Sequence, residues 1–296
     1  MRKSLRGIFA PLCTPFDEKG RILFDHLVEN MKKYAATGLS GYLVLGSNGE
    51  NKSLTLSEKE QVLKTVIEHK APGQTVISGS IFESTGETIE FALMAQEAGA
   101  DYITLLPPSY FASAMKDHVL LKYFTDVASS LSIPCTLYKA PQFSGGVDLS
   151  LSLIKECMKH PNIAGIKDSS SSGIEKILNV SHKDFAVLSG SANTFFTAMM
   201  SGAWGGVLSA ANYLPDKTVE LYNYITAGDL QNAIKLDRQI VMSNIAISGS
   251  FGVAGVKCAM DQCGYHGDFP RLPLLPITAE GAALIREGLT SFRHST

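Results

Sequence analysis

The chain has 296 residues, of which 45% are hydrophobic and 18% charged, and its 26 basic and 28 acidic residues give a net charge of −2. This composition excludes intrinsic disorder, and without a basic excess we expect no dominant role at nucleic acid or a membrane surface. No run reaches the roughly 18 uninterrupted apolar residues of a membrane span.

Short apolar runs, rich in β-branched residues and flanked by glycine, proline or serine, recur along the chain and predict buried parallel strands. They are Gly7–Cys13, Gly41–Gly46, Val76–Ser80, Tyr102–Leu106, Pro134–Tyr138, Ile163–Lys167, Phe185–Ser189 and Gly205–Ser209. Between them, a helical period predicts helices over Leu23–Tyr34, Ser57–His69, Glu87–Ala98, Asp117–Ser129, Leu149–Lys159, Gly173–Val180, Thr194–Met200 and Asp216–Ile225. Ser57 and Glu60 have the spacing of a capping box.

Eight predicted strands alternating with eight predicted helices indicate a (β/α)8 barrel, an α/β fold. The alternative, an open doubly wound sheet, needs a glycine-rich nucleotide turn after its first strand, and this sequence has none there. After Ala227 the pattern is helical, over Leu230–Ile247, Val253–Cys263 and Ala279–Phe292. We therefore expect a catalytic barrel over residues 1–227 and a C-terminal three-helix extension over residues 228–296.

The five cysteines show neither a disulfide framework nor the spacing of a zinc or redox motif. We expect reduced thiols, which are typical of a cytoplasmic protein. Pro11 and Pro15 interrupt the N-terminal segment, which makes a poor signal peptide.

The residues at the predicted strand ends limit the chemistry, because barrels of this kind place active sites at the carboxyl ends of their strands. No histidine and no carboxylate cluster stands there, so we expect no metal and no cofactor in catalysis. A serine hydrolase is excluded because there is no GxSxG elbow. The lysine, tyrosine and hydroxyl groups that remain suit Schiff-base chemistry on a carbonyl compound.

Two lysines, Lys139 and Lys167, stand at strand ends, and the alternation of side chains along a strand separates them. With Ile166 toward the helices, Gly165 and Lys167 face the barrel interior. On the preceding strand, Tyr138 faces inward and Lys139 outward. This pattern favours Lys167 as the nucleophile, beside Tyr138.

A further candidate is the turn Gly46-Ser47-Asn48-Gly49-Glu50. Its glycines allow consecutive backbone N–H groups to face an anion such as a carboxylate.

At these motifs the sequence resembles the dihydrodipicolinate synthase/N-acetylneuraminate lyase family of class I, pyruvate-dependent aldolases. The resemblance covers nearly the whole chain. It is carried by Ala10–Phe16, Gly46–Glu50, Tyr138–Pro141, Gly165–Asp168 and Arg271–Pro273.

The resemblance implies that Lys167 forms a Schiff base with pyruvate or another 2-oxo acid, and that an aldehyde is the second partner. It makes Tyr138 the proton-shuttling tyrosine and Ser47 its hydroxyl partner. The N–H groups of Ser47 and Asn48 would hold the carboxylate. The resemblance also places Gly190 and Leu208 in the pocket, and it makes Tyr110 a tyrosine supplied to a neighbouring subunit in a homo-oligomer, a dimer of dimers.

Departures from the family pattern concern the substrate. Phe143 stands where synthases of the lysine precursor carry an arginine that grips a carboxylate, and Leu56 and Glu83 differ from their feedback site. The sequence of the turn Gly46–Glu50 instead resembles that of 4-hydroxy-2-oxoglutarate aldolases and of some lyases of 2-oxo-3-deoxy sugar acids. We therefore favour one of these two substrate classes.

Four alternatives stay open. They are 4-hydroxy-tetrahydrodipicolinate synthase, N-acetylneuraminate lyase, a phosphosugar aldolase that uses Gly190-Ser191 and Gly205-Gly206, and a non-catalytic ligand-binding barrel.

Overall fold

A computed structural model describes residues 3–293. Its eight strands form a closed parallel barrel in sequence order, as predicted. The strands are β1 (Gly7–Pro11), β2 (Gly41–Val44), β3 (Thr75–Ser80), β4 (Tyr102–Leu105), β5 (Cys135–Lys139), β6 (Ile163–Asp168), β7 (Ala186–Ser189) and β8 (Gly205–Val207). Nearly every strand residue is buried, which explains why the strands read as continuous apolar runs.

One helix follows each strand. These helices are α1 (Phe24–Tyr34), α2 (Leu56–His69), α3 (Thr85–Ala98), α4 (Asp117–Ser129), α5 (Leu151–Cys157), α6 (Ile174–Val180), α7 (Ala192–Met200) and α8 (Pro215–Ala227). The C-terminal extension then contains α9 (Leu230–Asn244), a π turn (Ile245–Gly249), α10 (Ser250–Gln262), α11 (Ala279–Gly288) and α12 (Thr290–Arg293). Residues 294–296, at the end of the expected extension, lie outside the described residues, and the division at residue 227 stays a prediction.

By compactness the described chain divides into two units. The first comprises residues 3–6 and Thr75–Val207, with strands β3 to β8 paired in parallel and one register shift, between Cys135 and Thr136 of β5. The second comprises Gly7–Gln74 and residues 208–293, in which β1 pairs with β2 and the C-terminal helices pack. In this second unit Asn212 Nδ2 donates to the Pro11 carbonyl, which ties the segment after Leu208 to the end of β1.

The prediction of a capping box at Ser57 and Glu60 is wrong. Helix α2 begins at Leu56, and the box is formed two residues earlier, by Thr55 and Glu58. The Thr55 N–H donates to Glu58 Oε2 over 2.8 Å, and the Glu58 N–H donates to Thr55 Oγ1 over 3.3 Å. Both pairs have the required spacing, but only Glu58 is also held by Arg271, at 2.7 Å, and this tertiary contact favours the earlier start.

The five cysteines are free thiols. Burial raises the pKa of Cys13, Cys135 and Cys157 to about 12, so these three are inert at neutral pH.

One helical stretch in the described residues, Leu230–Gln262, is long and apolar enough to cross a membrane by length and composition alone. This is weak evidence for a span, because the core helix of a soluble protein passes the same test. The stretch also contains a break, since Gly252 has the non-helical angles φ 58° and ψ −144°.

Candidate active site

Lys167 and Tyr138 lie side by side at the carboxyl ends of β6 and β5. They are register partners in the sheet, and Lys167 Nζ lies 4.1 Å from the centroid of the Tyr138 ring. This confirms the prediction that the two side chains share one face of their strands. The Tyr138 ring is buried against Ile81, Leu106 and Ala140, which hold it in place.

The Lys167 side chain is buried without a counter-ion. The residue is only 6% exposed, and within residues 3–293 no carboxylate or carbonyl pairs with its Nζ atom. Lysines are almost never buried unless they are paired, because an unpaired charge loses its hydration. An amine held in this way is a candidate nucleophile for a carbonyl carbon.

Gly165, two residues before Lys167, is required by close packing between β6 and β7. A Cβ atom at this position would lie 2.5 Å from the Ala186 carbonyl oxygen and 2.9 Å from the Ala186 Cβ. The sequence prediction that a small residue shares a crowded face with Lys167 agrees with this contact. A side chain here would displace β7 and disturb the strand that carries the lysine.

Lys139, the competing lysine, is already paired. Its Nζ atom forms an ion pair with Asp148, and its side chain is 11% exposed. On the neighbouring strand Asp168 Oδ1 accepts hydrogen bonds from the N–H and the hydroxyl of Ser170, and burial raises the pKa of Asp168. Lys139 is therefore held in an ion pair, and Asp168 forms no ion pair with Lys167 among the described residues.

The turn Gly46–Glu50 follows β2 and has the shape of an anion-binding loop. Leu45 and Glu50 have positive φ angles of 61° and 53°, and the Thr14 hydroxyl donates to the Gly49 carbonyl over 2.8 Å. In the part of the chain that the structure describes, the N–H groups of Ser47 and Asn48 donate to no acceptor. Two neighbouring free donors are what a carboxylate needs.

Asn48 links this turn to the segment after β8, and Leu208 links that segment to β1. The Asn48 side-chain amide donates to Ser209 Oγ over 3.0 Å, and the Leu208 N–H donates to the Phe9 carbonyl over 3.1 Å. Leu208 is fully buried. The contact with Ser209 orients the Asn48 amide and leaves its backbone N–H free.

The sequence did not reveal the anchor of this turn, a buried ion pair between Glu50 and Lys257 of α10. Their Oε1 and Nζ atoms are 2.6 Å apart, and neither side chain is open to solvent. Glu50 Oε2 accepts the Arg271 N–H over 2.8 Å, and Lys257 Nζ donates to the Phe269 carbonyl over 2.7 Å. The one available signal was a glutamate inside a glycine-rich turn, which gives no indication of its partner.

Phe143 and Gly190 lie at other strand ends of the first unit. Phe143 ends the short 3-10 helix Pro141–Phe143 after β5, and it is 51% exposed. Gly190 follows β7 and has no room for a side chain, because a Cβ atom would lie 1.9 Å from Ser169 Oγ. Gly190 can therefore contribute to a pocket only through its backbone, as the family resemblance implies.

Tyr110 stands on a loop that projects from the chain. It is 80% exposed and makes an edge-to-face contact with Phe111, which is 69% exposed. The Glu83 carboxylate accepts the N–H groups of Ser109 and Tyr110, at 2.8 and 2.9 Å, and fixes the start of the loop. Glu83, which differs from the family's feedback site, here has a structural role.

A closed parallel barrel with a buried, unpaired lysine against a tyrosine at adjacent strand ends defines an aldolase-type lyase. Comparison with known proteins agrees. The family model of the dihydrodipicolinate synthetase family matches residues 4–291. The chain belongs to this family, whose lyases are pyruvate-dependent class I aldolases.

Individual relatives carry different names. A 4-hydroxy-tetrahydrodipicolinate synthase of Methanothrix thermoacetophila is 31% identical over 98% of each chain. A protein of Emericella nidulans named probable 4-hydroxy-2-oxoglutarate aldolase, mitochondrial, is 29% identical over 98% of this chain and 95% of its own. Among solved structures, YagE, a prophage protein of the dihydrodipicolinic acid synthase family from E. coli in complex with pyruvate, has a TM-score of 0.91 at 26% identity, over 98% of this chain and 99% of its own.

Proposed function

We propose that the chain is a Schiff-base aldolase that cleaves a 4-hydroxy-2-oxo acid to pyruvate and an aldehyde, or runs the reverse condensation. The observation that carries this proposal is the buried Lys167 side chain without a counter-ion, whose Nζ atom lies 4.1 Å from the centroid of the Tyr138 ring. The Lys167 amine attacks the C2 carbonyl carbon, and loss of water leaves a protonated imine. The imine then accepts the electron pair released when the C3–C4 bond breaks, which gives the aldehyde and an enamine. The enamine takes up a proton at C3, and water hydrolyses the resulting imine to pyruvate and the free Lys167 amine.

In this proposal Tyr138 moves protons, and the turn after β2 binds the carboxylate. The Tyr138 hydroxyl transfers the proton that is lost or gained when water leaves the C2 carbon, and it removes the proton from the C4 hydroxyl through Ser47. The free N–H groups of Ser47 and Asn48 hold the 2-oxo acid carboxylate. Gly190 and Leu208 line the pocket mainly through their backbone.

For the substrate we propose 4-hydroxy-2-oxoglutarate or a 2-oxo-3-deoxy sugar acid. Phe143 offers no cation to the distal carboxylate of aspartate semialdehyde, and Lys139 is neutralised by Asp148. Glyoxylate, the aldehyde released from 4-hydroxy-2-oxoglutarate, carries its carboxylate directly on the reacting carbon, so a cation placed for the more distant carboxylate of aspartate semialdehyde would not be positioned to bind it. A 2-oxo-3-deoxy sugar acid carries hydroxyl groups and no carboxylate at its tail, so it needs no cation at position 143.

The second candidate is 4-hydroxy-tetrahydrodipicolinate synthase, because several relatives near 30% identity carry that name. It uses the same imine with pyruvate and differs only in the aldehyde. The phenylalanine at position 143, which offers no cation to the carboxylate of aspartate semialdehyde, weighs against this second candidate.

The test combines trapping with a substrate panel. Borohydride with pyruvate is expected to attach the reduced adduct to Lys167, and the wild type and Lys139→Ala should both be labelled while Lys167→Ala is not. Each candidate 2-oxo acid is then assayed for pyruvate release, beside condensation of pyruvate with aspartate semialdehyde. An adduct on Lys139, or none, would contradict the site, and faster turnover of the semialdehyde would contradict the substrate.

We also propose a cytoplasmic homo-oligomer, a dimer of dimers, that binds neither nucleic acid nor membrane. The exposed Tyr110 and Phe111 rings support this assembly, because large aromatic side chains are concentrated at protein interfaces. Sedimentation equilibrium at assay concentration tests it, and a fully active monomer is the contradicting result.

A further inference from the structure

Two histidines and two carboxylates meet between helix α1 and the segment that follows α10. His26 and Glu29 lie three residues apart on α1, and His266 and Asp268 lie two apart beyond the end of α10. The two imidazole rings stack with centroids 4.1 Å apart. Ligand atoms of His26, His266 and Asp268 lie within 4.8 Å of one another, the one such group of histidine, cysteine or carboxylate side chains that residues 3–293 contain.

Each imidazole contacts one carboxylate. His26 Nδ1 lies 2.7 Å from Asp268 Oδ2, and His266 Nε2 lies 2.7 Å from Glu29 Oε2. When the His266 imidazole donates its Nε2–H to Glu29, it keeps a lone pair on Nδ1, which is how carboxylates orient the histidine ligands of zinc. His26 Nδ1 and Asp268 Oδ2 are close enough to be two ligands of one ion.

The backbone of the histidine-bearing segment is held rigidly. The side chain of the buried Asn30 donates to the His266 carbonyl and accepts the His266 N–H, both over 2.8 Å. Asp261 Oδ1 accepts the N–H groups of Gly267 and Asp268, at 2.7 and 3.1 Å. Ligands on a fixed backbone need little ordering when an ion binds.

The charges also suit a divalent cation. The carboxylates of Asp268 and Glu29 can balance the charge of a divalent cation, whereas two stacked imidazolium rings would repel each other at this distance. The nearby Lys33 points its Nζ atom at the Gly264 carbonyl, 2.5 Å away, and not at the carboxylates.

We propose that His26, His266 and Asp268, supported by Glu29, bind a divalent transition metal, with zinc as the best match. Zinc takes imidazole nitrogen and carboxylate oxygen at about 2.0–2.2 Å in a tetrahedral arrangement, with ligand atoms roughly 3.3 Å apart. The present ligand atoms, all within 4.8 Å of one another, must move closer together to reach that spacing. The ion fastens α1 to the segment between α10 and α11, and since none of its ligands follows a strand, catalysis does not require it.

The test is a titration of tag-free, chelator-treated protein with Co²⁺, followed by competition with Zn²⁺. One Co²⁺ per chain is expected, with the visible absorption of a four-coordinate ion, and zinc should displace it. His26→Gln and His266→Gln should each weaken binding at least tenfold. The matched control is His118→Gln, which removes an exposed histidine on α4 and should bind like the wild type.

A second measurement keeps the proposal testable if a variant folds poorly. The melting temperature of the wild type should rise on addition of Zn²⁺ and return on chelation, because an ion that binds only the folded state stabilises it. Turnover should be equal with and without chelator. The absence of a stoichiometric cobalt spectrum in the wild type, or unchanged binding in His26→Gln, would overturn the site, whatever the enzyme's substrate.

Discussion

Lys257 of α10 and Glu50, the last residue of the turn after β2, form an ion pair from which solvent is excluded, with 2.6 Å between Nζ and Oε1. Burial lowers the pKa of Lys257, so the carboxylate must compensate for lost hydration. Lys257 Nζ also lies 4.4 Å from the centroid of the Phe16 ring. The conformation of the turn that carries Ser47 and Asn48 is thus fixed from the C-terminal helices.

Lys257→Met should destabilise the protein severely, because it leaves the Glu50 carboxylate buried and without its cation. Removing one partner of a buried ion pair costs about 3–5 kcal/mol. Urea denaturation of the variant and the wild type measures the difference in free energy of unfolding. The control is Lys122→Met, whose partner Asp126 is exposed, and its effect should stay within about 1 kcal/mol. Equal effects of the two substitutions would contradict the role of the buried pair.

The barrel could be predicted from the sequence because its determinants are local. Buried parallel strands are short apolar runs, and the two-residue period of a strand is enough to place Tyr138 and Lys167 on one face. The same reasoning failed at the start of α2, where Thr55 and Ser57 both offer a capping box. A contact with Arg271, more than 200 residues away in the chain, decides between them.

The contacts that could not be predicted from the sequence join polar or charged side chains that are far apart along the chain. Lys257 lies 207 positions after Glu50, and His266 lies 240 after His26, and no local period relates such positions. The partner of Lys139 could not be predicted either, although it lies close to Lys139 in the sequence. The strand position of Lys139 was predictable, but the ion pair with Asp148 depends on the path of the loop after β5.

Tyr138→Phe should lower kcat by roughly 10²-fold, the scale of losing one acid–base group. The substitution keeps the ring against Ile81, Leu106 and Ala140 and removes only the hydroxyl. Steady-state kinetics of pyruvate release measures kcat of the variant and of the wild type, and circular dichroism checks that the variant is folded. Tyr222→Phe on α8 is the control and should behave as the wild type. A variant with unaltered kcat would show that the proton takes another route.

Tyr110→Phe should also lower kcat by roughly 10²-fold, but only in an oligomer. Tyr110 is 80% exposed on its own chain, so its hydroxyl can act only where a second subunit covers it. Activity and sedimentation should be measured across a dilution series. The difference in kcat between the wild type and Tyr110→Phe should disappear as the oligomer dissociates. A difference that persists in the monomer would contradict the role of Tyr110 across a subunit interface.

The Glu58–Arg271 pair should make stability depend on pH. Hydrogen bonds from the Arg271 guanidinium lower the pKa of Glu58 to about 2, from an ordinary value of 4.5. A lowered pKa means that the stabilisation is complete above about pH 5 and is lost as the pH falls toward 2. We expect the pair to contribute about 2 kcal/mol to the free energy of unfolding at neutral pH, a figure reduced because Glu58 is partly exposed to solvent.

Urea denaturation of the wild type and Glu58→Gln at pH 7 and pH 3 measures this contribution. The wild type should be more stable at pH 7, and the difference should shrink at pH 3. Glu60→Gln, which removes an exposed pair with Lys64, is the control and should show no such trend. A difference that grows as the pH falls has the wrong sign for this mechanism.

Phe143→Arg should increase catalytic efficiency toward aspartate semialdehyde by up to about 10²-fold. A substrate with a distal carboxylate needs a cation where it enters the barrel, because an unpaired charge out of water is costly. An arginine fork supplies two charge-assisted hydrogen bonds of about 1.5–3 kcal/mol each, and about 3 kcal/mol corresponds to more than a hundredfold in kcat/KM. Phe143 supplies none, and Lys139 is held by Asp148.

The measurement compares kcat/KM for semialdehyde condensation and for 4-hydroxy-2-oxoglutarate cleavage in the wild type and in Phe143→Arg. Because Phe143 is 51% exposed, an arginine fits there without repacking the core. Met242→Arg, which adds the same charge at an exposed position of α9, controls for a general electrostatic effect and should leave both efficiencies unchanged. The wild type should prefer the hydroxy-2-oxo acid, and the variant should shift toward the semialdehyde. If the wild type instead prefers the semialdehyde and Phe143→Arg does not improve it, position 143 does not set the specificity.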